Sequence, residues 1–225
     1  MKPIPLIVAL LAGSTLALTA QVANEGVANA IIATRQKDAK LMQQYSWNCR
    51  TELQENGEIK DTRIEMVTCG PTGQLQYSQL SNQAAPLPGG FFRHRIAEKE
   101  REKMEEYIKG LRAFLHQYTL PSAGQVINFI SAAHIPPPDK DGNLQITGSS
   151  VVIPSDTMSL WVKASTHQTL RVQIMTYYNG DEINVSATYK TLPGGYTYMA
   201  YGQINDPDKN LTLLIQNFDC INQNL

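Results

Sequence analysis

The sequence predicts an α+β protein organised around an antiparallel β-sheet. Three observations carry this. From residue 143 onward the chain reads as six short strands separated by well-marked turns. Near the start, two further strands face each other across Asn56-Gly57. Between these blocks lies one long amphipathic helix.

The late strands are expected at 143–153, 157–164, 169–178, 182–192, 196–205 and 211–219. The turns between them are Pro154 to Asp156, Ser165 to Gln168, Asn179-Gly180-Asp181, Pro193-Gly194-Gly195 and Asp206-Pro207-Asp208, all built from residues that favour turn geometry. Ile183, Val185, Ala187 and Tyr189 alternate with Asn184, Ser186, Thr188 and Lys190, which gives one dry and one wet face. The early strands are 45–54 and 59–69, with 74–80 as a third and a loop at 81–90. A two-residue loop at Asn56-Gly57 sets Glu55 opposite Glu58. Counting outward, Trp47 faces Met66 and Cys49 faces Ile64.

Helices are expected at 21–44, 95–117 and 122–133. In the first, Ala28, Ile31, Ile32, Arg35, Ala39 and Met42 form the stripe. In the second, Met104, Ile108, Leu111 and Leu115 are joined by Tyr107, Phe114 and Tyr118, and the opposite face, Glu98 to Glu106, is densely charged and expected in water. The third starts after Pro121-Ser122 and stops before three prolines.

Residues 1–20 read as a secretory signal peptide: Lys2, an apolar stretch from Leu6 to Ala17, then Leu18-Thr19-Ala20 before a cut at Gln21. The stretch is shorter than the roughly 20 residues of a membrane span, and no cysteine follows it closely. The expected mature protein is a single domain, 21–225, exported to a bacterial periplasm or secreted, with no integral membrane segment. The formal charge of the whole chain is −1 and loses one further positive unit with Lys2. A nearly neutral chain argues against nucleic acid as a partner.

An oxidising compartment permits one bridge among Cys49, Cys69 and Cys220. The expected register puts Cys69 on the face opposite to Cys49, so that pair needs a bulge. Cys69 with Cys220, or three free thiols, are the other readings.

No catalytic, metal or phosphate-binding motif is present, and no cofactor or metal is expected. Asp139, Asp141 and Asn143, like Asp206, Asp208 and Asn210, have the spacing that opens a calcium loop. Both sets lack the glycine and glutamate that complete one, so both read as polar turns. The four histidines show no ligand spacing, and His94 is the sole acid–base candidate. Phe91, Phe92, Arg93, His94 and Arg95 open the long helix. They either recognise an acidic or lipid headgroup or dock the start of the helix with the basic groups in water. The late aromatics, including Trp161, Tyr189 and Tyr198, either line a concavity or pack across strands.

The order of parts resembles the LolA/LolB-type superfamily of periplasmic proteins, which includes outer-membrane lipoprotein-sorting-like proteins. The residues that carry this are the hairpin opening Tyr45-Ser46-Trp47 and the stretch Met158 to Ile174, with Ser159-Leu160-Trp161-Val162-Lys163, a turn at Thr166, and Leu170-Arg171. The resemblance implies a curved, incompletely closed antiparallel sheet, a half-barrel, with helices packed on its concave side around an apolar cavity. The function it implies is an exported binding or carrier protein for an apolar or lipid-like ligand. The candidate ligand-binding residues are Trp47, Phe91, Phe92, Arg93, Arg95, Trp161, Tyr189 and Tyr198. The alternatives are an envelope interaction or assembly protein with a protein partner, docking through the charged helix, and a cofactor-free enzyme on the same scaffold.

Overall fold

The computed structural model describes the backbone of residues 11–70, 74–84, 91–119 and 122–224, with side chains except those of 11–23, 84, 91–97 and 119. The element order is α1 (Leu11–Met42), β1 (Tyr45–Glu55), β2 (Glu58–Cys69), β3 (Leu75–Ala84), α2 (Phe91–Thr119), α3 (Ala123–Ala132), β4 (Asn143–Ser149), β5 (Thr157–Lys163), β6 (Thr169–Tyr178), β7 (Asp181–Thr191), β8 (Thr197–Asp206) and β9 (Leu211–Asn222). The strands form one open, curved antiparallel sheet in the order β3-β2-β1-β9-β8-β7-β6-β5-β4. The helices cover its concave side.

Period-2 alternation explains which strand residues meet the helices. Leu144 and Ile146 of β4, Leu160 and Val162 of β5, Ile174 of β6, Ile183 of β7, Ile204 of β8 and Leu213 of β9 are buried together with Ala28 and Ile31 of α1, Leu111 and Leu115 of α2, and Phe129 and Ile130 of α3. Burying each of the large aliphatic side chains contributes about 1.5–3 kcal/mol. The short helix α3 starts on a capping box: Ser122 Oγ accepts from the Gln125 N–H, and Gln125 Oε1 accepts from the Ser122 N–H. In α1 it is Asp38, not the exposed Ala39, that turns to the sheet, where its Oδ1 accepts the Thr197 N–H at 3.0 Å.

Two tyrosine hydroxyls of α2 donate to buried aspartates. Tyr107 donates to Asp206 Oδ2 at 2.5 Å, and Tyr118 donates to Asp156 Oδ2 at 2.7 Å. Between them the ring of Tyr178 lies 5.5 Å from both Tyr107 and Phe114. It reaches α2 at Gly110, where a Cβ would stand 2.2 Å from its hydroxyl oxygen and 3.4 Å from its Cζ. Gly110 is therefore a packing glycine. In an open helix interior Gly→Ala gains about 1 kcal/mol. Here Gly110→Ala is expected instead to lose about 1–3 kcal/mol by overpacking. Adding Tyr178→Phe should recover most of that loss in urea unfolding. A stabilised single variant would show that α2 does not sit against Tyr178.

The sheet departs from the expected register at one place with consequences. Glu55 does face Glu58, but a bulge at Lys60 shifts everything beyond it, so Trp47 faces Val67 and Cys49 faces Glu65. Cys69 therefore shares the face of Cys49. The thiols remain unpaired for a geometric reason. Cys69 and Cys220 lie on strands separated by β1, which sets them roughly 10 Å apart, and Cys49 and Cys69 are four residues out of register. The third strand extends to Ala84, where a loop was expected, because it stays paired to β2 as far as Asp61. The fourth ends early, at Ser149: Ser150 takes φ +58°, and the next N–H groups turn to Asp156 in place of a ladder.

Candidate functional site

The concave face is unevenly covered. Over β4 to β9 it is packed by the three helices. Over β1 to β3 burial falls from Trp47 and Val67 to the exposed Tyr77, and the residues of this partly open stretch, the trough, follow directly from the register. Trp47, Val67 and Tyr77 are direct cross-strand partners in one row. Trp47 and Val67 are buried, whereas Tyr77 is 56% exposed and Leu75, opposite Cys69, is 39% exposed. The next row is Cys49, Glu65 and Gln79, and the one after it contains Thr51, Arg63 and Asn82. The floor is thus apolar at one end and polar at the other.

At the apolar end, Tyr45, Trp47, Cys49, Val67 and Tyr196 form a second buried cluster, with Leu41 and Met42 of α1, Leu192, Tyr198 and Cys220 packed against it. The rings of Tyr45 and Tyr196 are 5.1 Å apart, and those of Tyr196 and Tyr198 6.2 Å. Tyr45 reaches this position because Gly194 leaves room for its hydroxyl; a Cβ there would lie 2.5 Å from it. At the polar end, Arg63 bonds Asp61 Oδ2 at 2.6 Å and Glu105 Oε1 of α2 at 3.3 Å, tying the helix to the rim. Arg112 of α2 is close enough to act electrostatically on both Cys49 and Tyr77, as is Glu65. Partial burial pushes the Tyr77 hydroxyl above its ordinary value, and burial does the same to all three thiols. Thiols held protonated are poor nucleophiles and poor metal ligands.

Of the candidates read from the sequence, Trp47 and Tyr198 are brought together in this cluster. Tyr189 lies half-buried beneath α1 with Arg35 nearby, one strand away from β8. Trp161 is on the opposite face of the sheet, with the Arg171 guanidinium 5.1 Å over its ring. The side chains of Phe91, Phe92, Arg93, His94 and Arg95 lie outside the described residues. The two calcium-like loops are turns of different kinds. Asp139 closes its own loop, with Oδ1 accepting the N–H groups of Asp141 and Asn143. Asp206 is buried and receives Tyr107. Among the described residues no three His, Cys, Asp or Glu side chains gather as a metal site.

The convex face carries an open depression of about 420 Å³ lined by Arg50, Thr62, Ile64, Ser81, Gln83, Gln216 and Phe218. Nothing in the local sequence points to it. It arises because β9, β1, β2 and β3 bring outward residues from four separate segments side by side.

The chain matches no family model and no curated protein. Among solved structures it is similar to a DUF1329 family protein from Desulfovibrio piger (8% identity, covering 87% of this chain and 91% of that one, TM-score 0.42). It is also similar to a LolA superfamily protein from Nitrosomonas europaea (11% identity, 84% and 91% covered, TM-score 0.32). A third is an outer membrane lipoprotein-sorting protein domain from Vibrio parahaemolyticus (11% identity, 86% and 91% covered, TM-score 0.39). Two of the three bear the LolA-type names that the sequence resemblance pointed to. The likeness is one of layout at low identity.

Proposed function

We propose that the protein is exported and binds an apolar or lipid-like ligand in the trough over β1 to β3, as a carrier or binding protein. The observation that carries this is the row Trp47–Val67–Tyr77, which runs without interruption from a buried aromatic cluster to an exposed rim. Exposed apolar surface that continues a buried cluster on a concave face is what an apolar ligand needs. The polar floor at Glu65 and Arg63 would hold the wetter end of such a molecule. Export rests on the signal-peptide pattern of residues 1–20, and the expected cut falls within α1. No helix among the described residues is long and apolar enough to cross a membrane. A second reading, an envelope assembly protein, draws on the exposed charged face of α2.

Intrinsic fluorescence separates the readings, because the chain has only two tryptophans. Trp161→Phe leaves Trp47 as sole reporter at a cost of about 0.5–1 kcal/mol for the lost Arg171 contact. Titration of that variant with palmitate should give a saturable change in Trp47 emission. Cys69→Asp, which charges the apolar end, should weaken binding at least tenfold. An unchanged emission, together with no lipid retained in native mass spectrometry of protein purified from the periplasm, would remove the carrier reading.

A further inference from the structure

The two edges of the sheet are treated differently. Along β4, the backbone of His134 makes a two-way bridge to Thr147, with N–H···O distances of 2.8 and 3.0 Å, and Asp139 N–H donates to Asn143 O at 2.9 Å. That edge is partly paired by its own chain. Along β3, the other edge, no described residue pairs with the outer side. Exposed edges of soluble proteins are usually blunted by charge or proline, because a bare row of N–H and C=O groups recruits another strand. Residues 74–84 contain neither a charged side chain nor a proline. Leu75, Tyr77 and Leu80 are 39%, 56% and 57% exposed.

We infer that β3 is a self-association edge, and that its occupant is β3 of a second copy of this chain, paired antiparallel across a twofold axis. A twofold pairing opposes each residue of a strand to a residue of the same strand, so any repeated charge would meet its like. The uncharged composition of β3 removes that penalty for every register. The position of the axis follows from the bulge: β3 pairs regularly with β2 over Leu75–Gln79 and is interrupted at Leu80. The regular stretch is centred on Tyr77. Pairing there sets Tyr77 against its copy, Leu75 against Gln79 and Gln76 against Ser78, and covers the exposed Leu75 and Tyr77 side chains of both copies. The area of one strand pair is small for a permanent dimer, so the association is weak and reversible.

Sedimentation equilibrium tests this on the mature chain. The protein should show a monomer–dimer equilibrium in the micromolar range. Tyr77→Lys, which sets two ammonium groups face to face without touching the core, should weaken it at least tenfold. Tyr77→Cys should form a covalent dimer under mild oxidation, since directly opposed residues have the Cα separation a disulfide requires. Ile59→Cys, also exposed but on β2, and the parent protein with its native thiols should not crosslink at a comparable rate. A chain that stays monomeric to millimolar concentration, or a dimer indifferent to Tyr77→Lys, overturns the inference. So does a monomer that instead takes up an extended peptide along β3, which would assign the edge to a different strand.

Discussion

Replacing Asp156 by alanine should cost about 3–5 kcal/mol of folding stability, the largest effect expected of any single polar residue here. The carboxylate is fully buried. Its Oδ1 accepts the Val151 N–H at 2.7 Å, and its Oδ2 accepts the N–H groups of Val152 and Ile153 at 2.8 and 2.9 Å and the Tyr118 hydroxyl at 2.7 Å. Alanine leaves three backbone donors without an acceptor in a place closed to water, while the Tyr118 hydroxyl keeps only Thr176 Oγ1 at 2.7 Å, and each orphaned group costs about 1–3 kcal/mol unless the loop reopens. Tyr118→Phe removes the bond to Asp156 and the 2.7 Å bond to the buried Thr176 Oγ1 but leaves the backbone donors satisfied, so it should cost only about 1–2 kcal/mol. In thermal unfolding the two variants should differ clearly: about 10 °C lower for Asp156→Ala and a few degrees for Tyr118→Phe. Equal effects would mean that the aspartate serves the helix alone. Near-parental stability of Asp156→Ala would mean that loop 150–156 opens to water at little cost.

Neither aspartate anchor is legible in the sequence, and the reason is physical. Asp156 and Asp206 both sit in turn clusters, where an aspartate ordinarily bonds its own loop. Asp156 does that and more, but its tyrosine partner lies 38 residues away, and that of Asp206 lies 99 residues away. Side-chain pairs over such separations leave no periodic trace. Periodicity does locate the strands of the meander, because one face is dry. It fails to orient Trp161, because Leu160-Trp161-Val162 is an unbroken apolar run with no alternation. The structure resolves the ambiguity by burying Leu160 and Val162 and turning Trp161 outward. The hairpin register is lost in a similar way. A bulge adds one residue with no composition of its own, and Lys60 resembles any other outward lysine.

That one residue decides the candidate site. Without the bulge, Met66 would face Trp47 and the concave face of β2 would carry Thr62, Ile64, Met66 and Thr68. With it, Asp61, Arg63, Glu65 and Val67 turn inward. The trough thereby acquires a charged end and loses two apolar side chains to the convex face, where Ile64 lines the outer depression and Met66 is 39% exposed. An amphiphile suits the concave side better than a purely apolar molecule for this reason.

The second large effect is alkaline. Tyr107, Tyr118 and Tyr196 all have hydroxyls pushed above their ordinary value, first by burial. For Tyr107 and Tyr118 the carboxylates they donate to add to the shift. A raised folded pKa means that the neutral hydroxyl is favoured in the folded state. Its contribution is complete below the unfolded value of about 10 and is lost as pH climbs toward the folded values. Tyr118 and Tyr196 are each only 5% exposed, so each should give up roughly 1.4 kcal/mol per pH unit above about 10. Tyr107 is more exposed and contributes less, through screening. Stability should therefore be flat from neutral pH to about 9 and fall by about 3 kcal/mol by pH 11. Absorbance at the phenolate band should show these three tyrosines ionising late, together with loss of near-ultraviolet circular dichroism, because ionising Tyr107 or Tyr118 sets a phenolate against a carboxylate and releases α2. Tyr196→Phe should shallow the alkaline decline by about one-half without moving the release of α2, since Tyr196 belongs to the cluster at the other end of the sheet. If all ten tyrosines ionised together near their ordinary value while the native dichroism persisted, the two aspartate anchors would not be closed to solvent, and the helix would be held by its apolar stripe alone.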